Sequence, residues 1–127
     1  EKKTSAELIS RIKALVRDVP VASHVKDYAA KLVLATTPET DYSTEEVNRY
    51  VKIGSSPRGL QGLILGAKVQ ALLDGRFCVS CEDINQMAIP TLRHRVGLNL
   101  EGEAEGISTD DLIRGVLEQT TPAVARV

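Results

Sequence analysis

Helix-start signals recur along this chain and constrain its fold more than any other feature. At four points a serine or threonine is followed within three residues by an acidic side chain. The hydroxyl accepts hydrogen bonds from the free amides of a helix start, and the acid favours the positive end of the helix dipole. The four segments are Thr4-Ser5-Ala6-Glu7, Ser43-Thr44-Glu45-Glu46, Ser80-Cys81-Glu82-Asp83 and Ser108-Thr109-Asp110-Asp111.

Two further helices are predicted from apolar spacing and from a proline. Apolar residues from Val25 to Val33 recur every three or four positions, which predicts a helix beginning at Ala22 or Ser23. In the longest helix, Ser56 is the predicted cap, Pro57 the first helical residue and Gly75 the stop.

The remaining segments are predicted to be kinked, extended, irregular or flexible. Pro90 is expected to break or kink the fifth helix, with residues 92–96 continuing for another turn or two. We expect a short extended link at 76–79, an irregular acidic segment at 98–106 and a flexible tail at 120–127.

Aromatic residues make up only 3% of the chain, although 43% of its residues are hydrophobic. The core must therefore be built from Leu, Ile, Val and Ala, which favours helices packed on helices over a sheet sandwich. We predict an all-α fold, a small bundle of about five to six helices in a single domain over residues 1–127. Because the chain begins abruptly in helix-like sequence, we expect a fragment of a longer protein.

Charge and hydropathy argue against several classes of partner. The net charge is −1, whereas a nucleic-acid-binding domain normally has a basic excess. No apolar run approaches the roughly 18 residues that span a bilayer. The amino-terminal sequence leads into an amphipathic segment and not into a signal-peptide core, so a cytoplasmic location is expected.

The start of the longest helix departs from the pattern of the others. Its first turn reads Pro57-Arg58-Gly59, with a cation and no acid. A helix start with free amides and an arginine favours an anion, and phosphate matches the guanidinium fork. The alternative is an arginine that points to solvent, where the unfavourable interaction with the dipole is screened.

Three glycines lie on one face of this helix, at Gly59, Gly62 and Gly66. Each costs about 1 kcal/mol relative to alanine, so something must approach closely along that face. Tight packing against another helix is the favoured interpretation. A bare surface under a ligand or a moving partner is the alternative.

Cys78 and Cys81 form a C-x-x-C pair. A zinc site would need further ligands, and His24 and His94 do not stand at suitable spacing. A redox pair would need a thioredoxin-like strand pattern that is absent here. We interpret both cysteines as small apolar fillers and predict no metal site.

The segment Gly54-Ser55-Ser56-Pro57-Arg58-Gly59, with a Leu/Ala helix ending in Ala71-Leu72-Leu73-Asp74-Gly75-Arg76, resembles the carboxyl-terminal helical lid of MoxR-family AAA+ ATPases. Glu82-Asp83-Ile84 and Leu92-Arg93-His94-Arg95 are similar to the same family, as is the stretch from Val19 to Tyr28. The likeness covers roughly residues 19–99 and is weaker as far as residue 117. The three glycines depart from it, because family members more often have alanine there.

The resemblance implies a role for Arg58. In that family the matching arginine is the sensor-2 residue, which reaches the phosphates of ATP bound, with magnesium, on a separate α/β domain. Ser56 and Pro57 belong to the same nucleotide-facing segment. Family members usually form hexameric rings and act as chaperone-like machines, often with von Willebrand A domain partners.

Nothing in the sequence supplies the rest of an ATPase. No G-x-x-x-x-G-K-[ST] phosphate loop and no apolar strand ending in an acidic pair occur. We therefore expect the isolated chain to hydrolyse no ATP, to bind no cofactor firmly and to be a monomer.

Two other features leave the function open. The basic Arg93-His94-Arg95 could contact a nucleotide or a neighbouring subunit, although a solvated helix end explains it as well. The acids between residues 101 and 111 are interpreted as a solvated loop followed by helix-dipole acids. A stand-alone helical module for protein interaction, or less plausibly for DNA docking, is the alternative function, in which Arg58 is incidental.

Overall fold

The computed structural model describes residues 3–122, which form seven helices and one two-stranded sheet. The flexible tail predicted at 120–127 lies largely outside these residues. In chain order the elements are α1 (Ala6–Asp18), α2 (Ser23–Ala35), α3 (Glu45–Tyr50), β1 (Val51–Ile53), α4 (Pro57–Leu73), α5 (Cys81–Leu92), β2 (Gly97–Leu98), α6 (Leu100–Ala104) and α7 (Thr109–Gln119).

Helix α4 lies at the centre of the bundle and contacts α1, α2 and α5. Its fully buried positions are Leu63 and the small residues Ala67 and Ala71. Larger side chains from the surrounding helices, such as Tyr28, Leu32 and Ile84, complete the same cluster. The predicted all-α bundle with an aliphatic core is therefore confirmed.

The glycine face of α4 packs against α5, as the favoured interpretation predicted. A Cβ at Gly62 would lie 2.9 Å from the Thr91 Cγ2, and one at Gly66 would lie 2.7 Å from the Met87 Cε. These contacts are closer than real Cβ atoms tolerate, so glycine at these two positions permits the close approach of α4 to α5.

Two short elements differ from the sequence-based expectation. The extended pairing joins β1 to β2 in antiparallel register, with Val51 opposite Leu98, and the predicted link at 76–79 is irregular and unpaired. The segment expected to be irregular at 98–106 contains α6, whose cap Asn99 accepts a hydrogen bond from the Gly102 amide at 2.8 Å. A three-residue strand and a five-residue helix are too short to produce a periodic pattern.

Pro90 does not break α5, contrary to one form of the prediction. The helix continues through it to Leu92, and the Arg93 amide still donates to the Ile89 carbonyl at 3.0 Å. The next residues form a turn that leads into β2. The packing of Ala88 and Leu92 in the core holds the helix together despite the hydrogen bond that proline cannot make.

An ion pair that the sequence analysis missed fastens the end of α4 to the start of α5. Arg76 donates two hydrogen bonds to Asp83, from Nη2 to Oδ1 at 2.6 Å and from Nη1 to Oδ2 at 2.9 Å. Asp83 is only 1% exposed and also accepts from the Ser80 amide at 2.8 Å, which completes a capping box. These contacts hold the pKa of Asp83 below its ordinary value, mainly through Arg76 and against the effect of burial.

No helix in residues 3–122 combines the length and the apolar character needed to cross a membrane.

Candidate nucleotide-sensing site at the start of α4

The segment that leads into α4 is fastened to the end of α2. The Ser55 amide donates to the Thr36 hydroxyl at 2.9 Å, and that hydroxyl donates to the Val33 carbonyl at 2.6 Å. Gly54 lies so close to Thr37 that a Cβ would stand 2.6 Å from its Cα. The backbone before Pro57 is therefore held by buried contacts, which fixes where α4 begins.

The cap of α4 differs from its prediction in one respect. Pro57 occupies the first helical position, as predicted, and Ser56 has the extended backbone of a cap residue. The Ser56 side chain, however, makes no capping hydrogen bond. The Gly59 amide donates instead to the Ser56 carbonyl at 2.8 Å, so the hydroxyl is left available.

This open cap contrasts with the other helix starts in residues 3–122. Five helices have a cap side chain that accepts a hydrogen bond from a first-turn amide, and α4 alone has a cap hydroxyl that does not. Helix α2 also lacks a side-chain cap, because the side chain of its cap residue, Ala22, has no oxygen atom. The accepting side chains belong to Ser5, Thr44, Ser80, Asn99 and Ser108.

Arg58 lies in the first turn of α4, where no acidic residue accompanies it. Its side chain is exposed, and it makes no hydrogen bond or ion pair with any residue from 3 to 122. A guanidinium, a free hydroxyl at Ser56 and the Arg58 amide thus share one exposed corner of the bundle, since Pro57 has no N–H and the Gly59 amide already donates to Ser56. That combination of donors suits an anion with several oxygens.

The basic residues after α5 take separate roles. Arg93 donates to both carboxylate oxygens of Asp110 at 3.1 and 2.8 Å, which ties the end of α5 to the first turn of α7. Arg93 remains 53% exposed, so it is a solvated helix end that also pairs with α7. His94 is exposed, and the Nε of Arg95 is buried without a hydrogen-bond acceptor among the described residues.

The acidic segment is also more structured than expected. Arg49 donates from Nε to Glu101 at 2.8 Å and lies 3.4 Å from Glu105, whose other oxygen accepts from the Tyr50 hydroxyl at 2.9 Å. These pairs join α3 to α6 across about fifty residues of sequence, a separation that no local pattern reveals. The acids are thus interhelical partners as well as solvated groups.

The two cysteines do not share one environment. Cys81 is partly buried against the core, and burial raises the pKa of its thiol. Cys78 is exposed, so its interpretation as an apolar filler is wrong. No group of three or more potential metal ligands among His, Cys, Asp and Glu occurs within residues 3–122.

Comparison with known proteins agrees with this architecture. The AAA lid domain family matches residues 44–116, more than half of the chain. The chaperone MoxR1 of Mycobacterium tuberculosis is 34% identical over 92 residues, which cover 72% of this chain and 24% of that protein. The protein MoxR of Methylorubrum extorquens is 40% identical over 78 residues, which cover 61% of this chain and 22% of that protein.

A solved structure gives the same result for the fold. The crystal structure of a Cytophaga hutchinsonii protein assigned as an ATPase superposes with a TM-score of 0.88 at 32% identity, over 93% of this chain and 36% of that one. The chain therefore spans about a quarter to a third of the length of the relatives it matches.

The fold and the family match define a helical lid domain. The chain belongs to the AAA lid domain family. Its relatives identify it more closely as the lid of a MoxR-like AAA+ ATPase, which confirms the resemblance noted in the sequence.

Proposed function

We propose that this lid contributes Arg58 as a sensor to the phosphates of ATP bound on the α/β domain of the same protein. The observation that supports this role is the open start of α4, where Arg58 and the Ser56 hydroxyl have no partner among the described residues. Every other helix start with a polar cap residue in the described chain uses that residue to satisfy its own amides. A site left unsatisfied in this way suits a ligand that arrives from outside.

The chemistry required of such a site is electrostatic. Phosphoryl transfer depends mainly on positioning and on stabilising charge that develops on the phosphate oxygens. The Arg58 guanidinium can donate two parallel hydrogen bonds to such oxygens, and the Ser56 hydroxyl and the Arg58 amide extend the same donor surface. Magnesium and the nucleotide-binding loop belong to the absent domain in this proposal, where the metal neutralises phosphate charge.

The packing of α4 explains how an arginine on a lid can report nucleotide state. The glycine face presses α4 against α5, and Ala67 and Ala71 seat it in the core. Movement of the start of α4 toward a phosphate would therefore carry the packed bundle with it. Binding of a phosphate at the start of α4 would then rotate the lid as a rigid body.

The wider setting is also proposed from the family. We infer that the parent protein hydrolyses ATP as a hexameric ring in the cytoplasm and uses the cycle for chaperone-like assembly or activation of partners. Proteins with von Willebrand A domains are the expected partners. The name chaperone MoxR1, borne by a relative, supports this inference.

The test uses the intact parent protein with Arg58→Ala and Arg58→Lys. Removal of a donor to the developing charge is expected to lower kcat by about 10²-fold, and lysine should restore only part of the rate because it lacks the planar fork. Arg114→Ala is the matched control, since Arg114 is exposed and pairs only with Asp111 within residues 3–122. Wild-type hydrolysis and ATP affinity in Arg58→Ala would reject the sensor role.

A stand-alone interaction module is the second candidate. Helix α1 supports it, because four large apolar side chains there are 44–48% exposed and only Val16 is buried. The discriminating observation is the gene upstream of residue 1. A phosphate loop encoded there supports the lid, and its absence supports the module.

A further inference from the structure

A groove lies between α3 and α7, and no residue of α4 lines it. Its volume is about 630 Å³. The partly buried Tyr50 and Ile107 and the buried Leu112 form an apolar floor. This space is independent of the Arg58 site and large enough for several side chains of a partner.

Gly115 lines one side of this groove and leaves that side without a side chain. It lies inside α7, where a glycine costs about 1 kcal/mol relative to alanine. A Cβ at this position would meet nothing within 4 Å, whereas those at Gly62 and Gly66 would collide with α5. Gly75 and Gly106 have positive φ angles, which explain them by conformation. No residue from 3 to 122 lies where a Cβ of residue 115 would stand, so this side of α7 leaves room for an occupant of the groove.

The rim of the groove is acidic. Glu46, Asp111 and Glu118 line it, and no lysine or arginine among residues 3–122 does. Arg114 lies beside the groove but donates to Asp111 at 2.7 Å. Glu46 and Glu118 are exposed and have no ion-pair partner within residues 3–122. A nucleic acid or an anionic membrane would be repelled by this rim.

We propose that this α3–α7 groove docks a segment of a partner protein in which a lysine or arginine stands beside aliphatic side chains. The aliphatic groups pack on Ile107 and Leu112 at the floor. The cation pairs with Glu46 or Glu118 at the rim, while its methylene stem covers apolar surface. A groove of this size gives a weak, transient contact whose strength falls with salt.

The first test titrates the full 127-residue chain with two short peptides and follows amide shifts by NMR. One peptide alternates leucine with lysine, and the other alternates leucine with glutamate. The lysine peptide is expected to shift the amides of Gly106, Ile107 and Gly115, and to bind more weakly as salt is raised. Absence of any shift at about 1 mM peptide, or equal binding of the glutamate peptide, would overturn the proposal.

Three variants locate the binding. An added Cβ at position 115 meets no atom within 4 Å, and Gly115→Leu extends a side chain from a residue that lines the groove. This variant should raise the melting temperature, because glycine is unfavourable inside a helix, and yet weaken peptide binding at least about tenfold. The double change Glu46→Gln and Glu118→Gln should weaken binding by a similar factor. The control Glu7→Gln with Asp27→Asn alters net charge equally, outside the groove, and should leave the affinity unchanged.

Two results with these variants would contradict the proposal. Peptide affinity that is the same in Gly115→Leu would place the binding elsewhere. Concentration-dependent self-association of the wild-type chain that disappears in Gly115→Leu would show that a second copy occupies the groove, and a separate partner would be rejected.

Discussion

Helices α4 and α5 both begin after a serine, but the two helix starts differ in how their polar groups are satisfied. Both have a serine cap, yet the start of α5 is closed by its own chain and the start of α4 is open. At α5 the Ser80 hydroxyl accepts from the Asp83 amide, and buried Asp83 is held by Arg76. At α4 the Ser56 hydroxyl is unused and Arg58 faces solvent. The start of α5 thus contributes to stability through its own contacts, whereas the start of α4 lacks such contacts, as the proposed sensor function requires.

The largest expected effect on stability comes from disrupting the contacts that close the start of α5. Asp83→Asn keeps the shape of the side chain but removes the charge that pairs with Arg76. Loss of a buried partner costs about 2–3 kcal/mol here, less than for a fully buried pair, because Arg76 is 39% exposed and retains Asp74. Urea denaturation measures this change.

Asp74→Asn is the control for that prediction. Its carboxylate pairs with the same arginine at 3.0 Å but is 46% exposed. An exposed pair contributes about 0.5 kcal/mol or less. Equal destabilisation by the two variants would show that burial of Asp83 does not govern the strength of this junction.

The pH dependence of stability sharpens the same point. Because the folded state lowers the pKa of Asp83, the ion pair stabilises the fold at pH values above the unfolded pKa of about 3.9. This stabilisation is lost as the pH falls through the lower folded pKa. The difference in unfolding free energy between wild type and Asp83→Asn should be constant near neutral pH and shrink below about pH 4. A difference that grows with acid would contradict the assignment.

Replacing the two cap serines, one at a time, should change stability less, and the two variants can be compared directly. Ser80→Ala should cost about 1 kcal/mol because it removes the acceptor for the Asp83 amide. Ser56→Ala should change the stability of the isolated chain by only a few tenths of a kcal/mol, since its hydroxyl caps nothing. Thermal or urea unfolding of both variants distinguishes the two starts. Equal losses would mean that α4 is capped like the others.

The last variant is expected to give a small gain in stability. Arg58→Glu places an acid at the positive end of α4 and should stabilise the isolated chain by about 0.5 kcal/mol. The same change should abolish the nucleotide response of the intact protein. Destabilisation of the isolated chain by this variant would indicate that Arg58 serves the fold after all.

Most of the fold could be predicted because its information is local. Hydroxyl caps, the apolar stripe from Val25 to Val33 and the stop at Gly75 depend on neighbours within one or two turns. The pairing of β1 with β2 and the helix α6 could not be predicted, because such short elements leave no periodic pattern. The glycine face gave a correct prediction, since glycine in a helix needs a packing reason.

The contacts of the candidate site and of its surroundings also divide into those that local sequence predicts and those that it does not. Arg58 stood out because its charge contradicts the dipole of its own helix. The partnership of Arg76 with Asp83 was missed, although a basic residue just after one helix and an acid in the next capping box were both visible. The Arg93 pair with Asp110 depends on the approach of α5 to α7, which a linear pattern does not contain. The contacts that could not be predicted are therefore those that depend on how distant helices approach each other, and not on residue type.

The most direct measurement is a structure of the intact protein with magnesium and a non-hydrolysable ATP analogue. We predict that in at least one subunit the Arg58 guanidinium lies about 3 Å from oxygens of the terminal phosphate. A guanidinium that faces solvent or a carboxylate in every nucleotide-loaded subunit would contradict the proposal that α4 begins open in order to receive an anion.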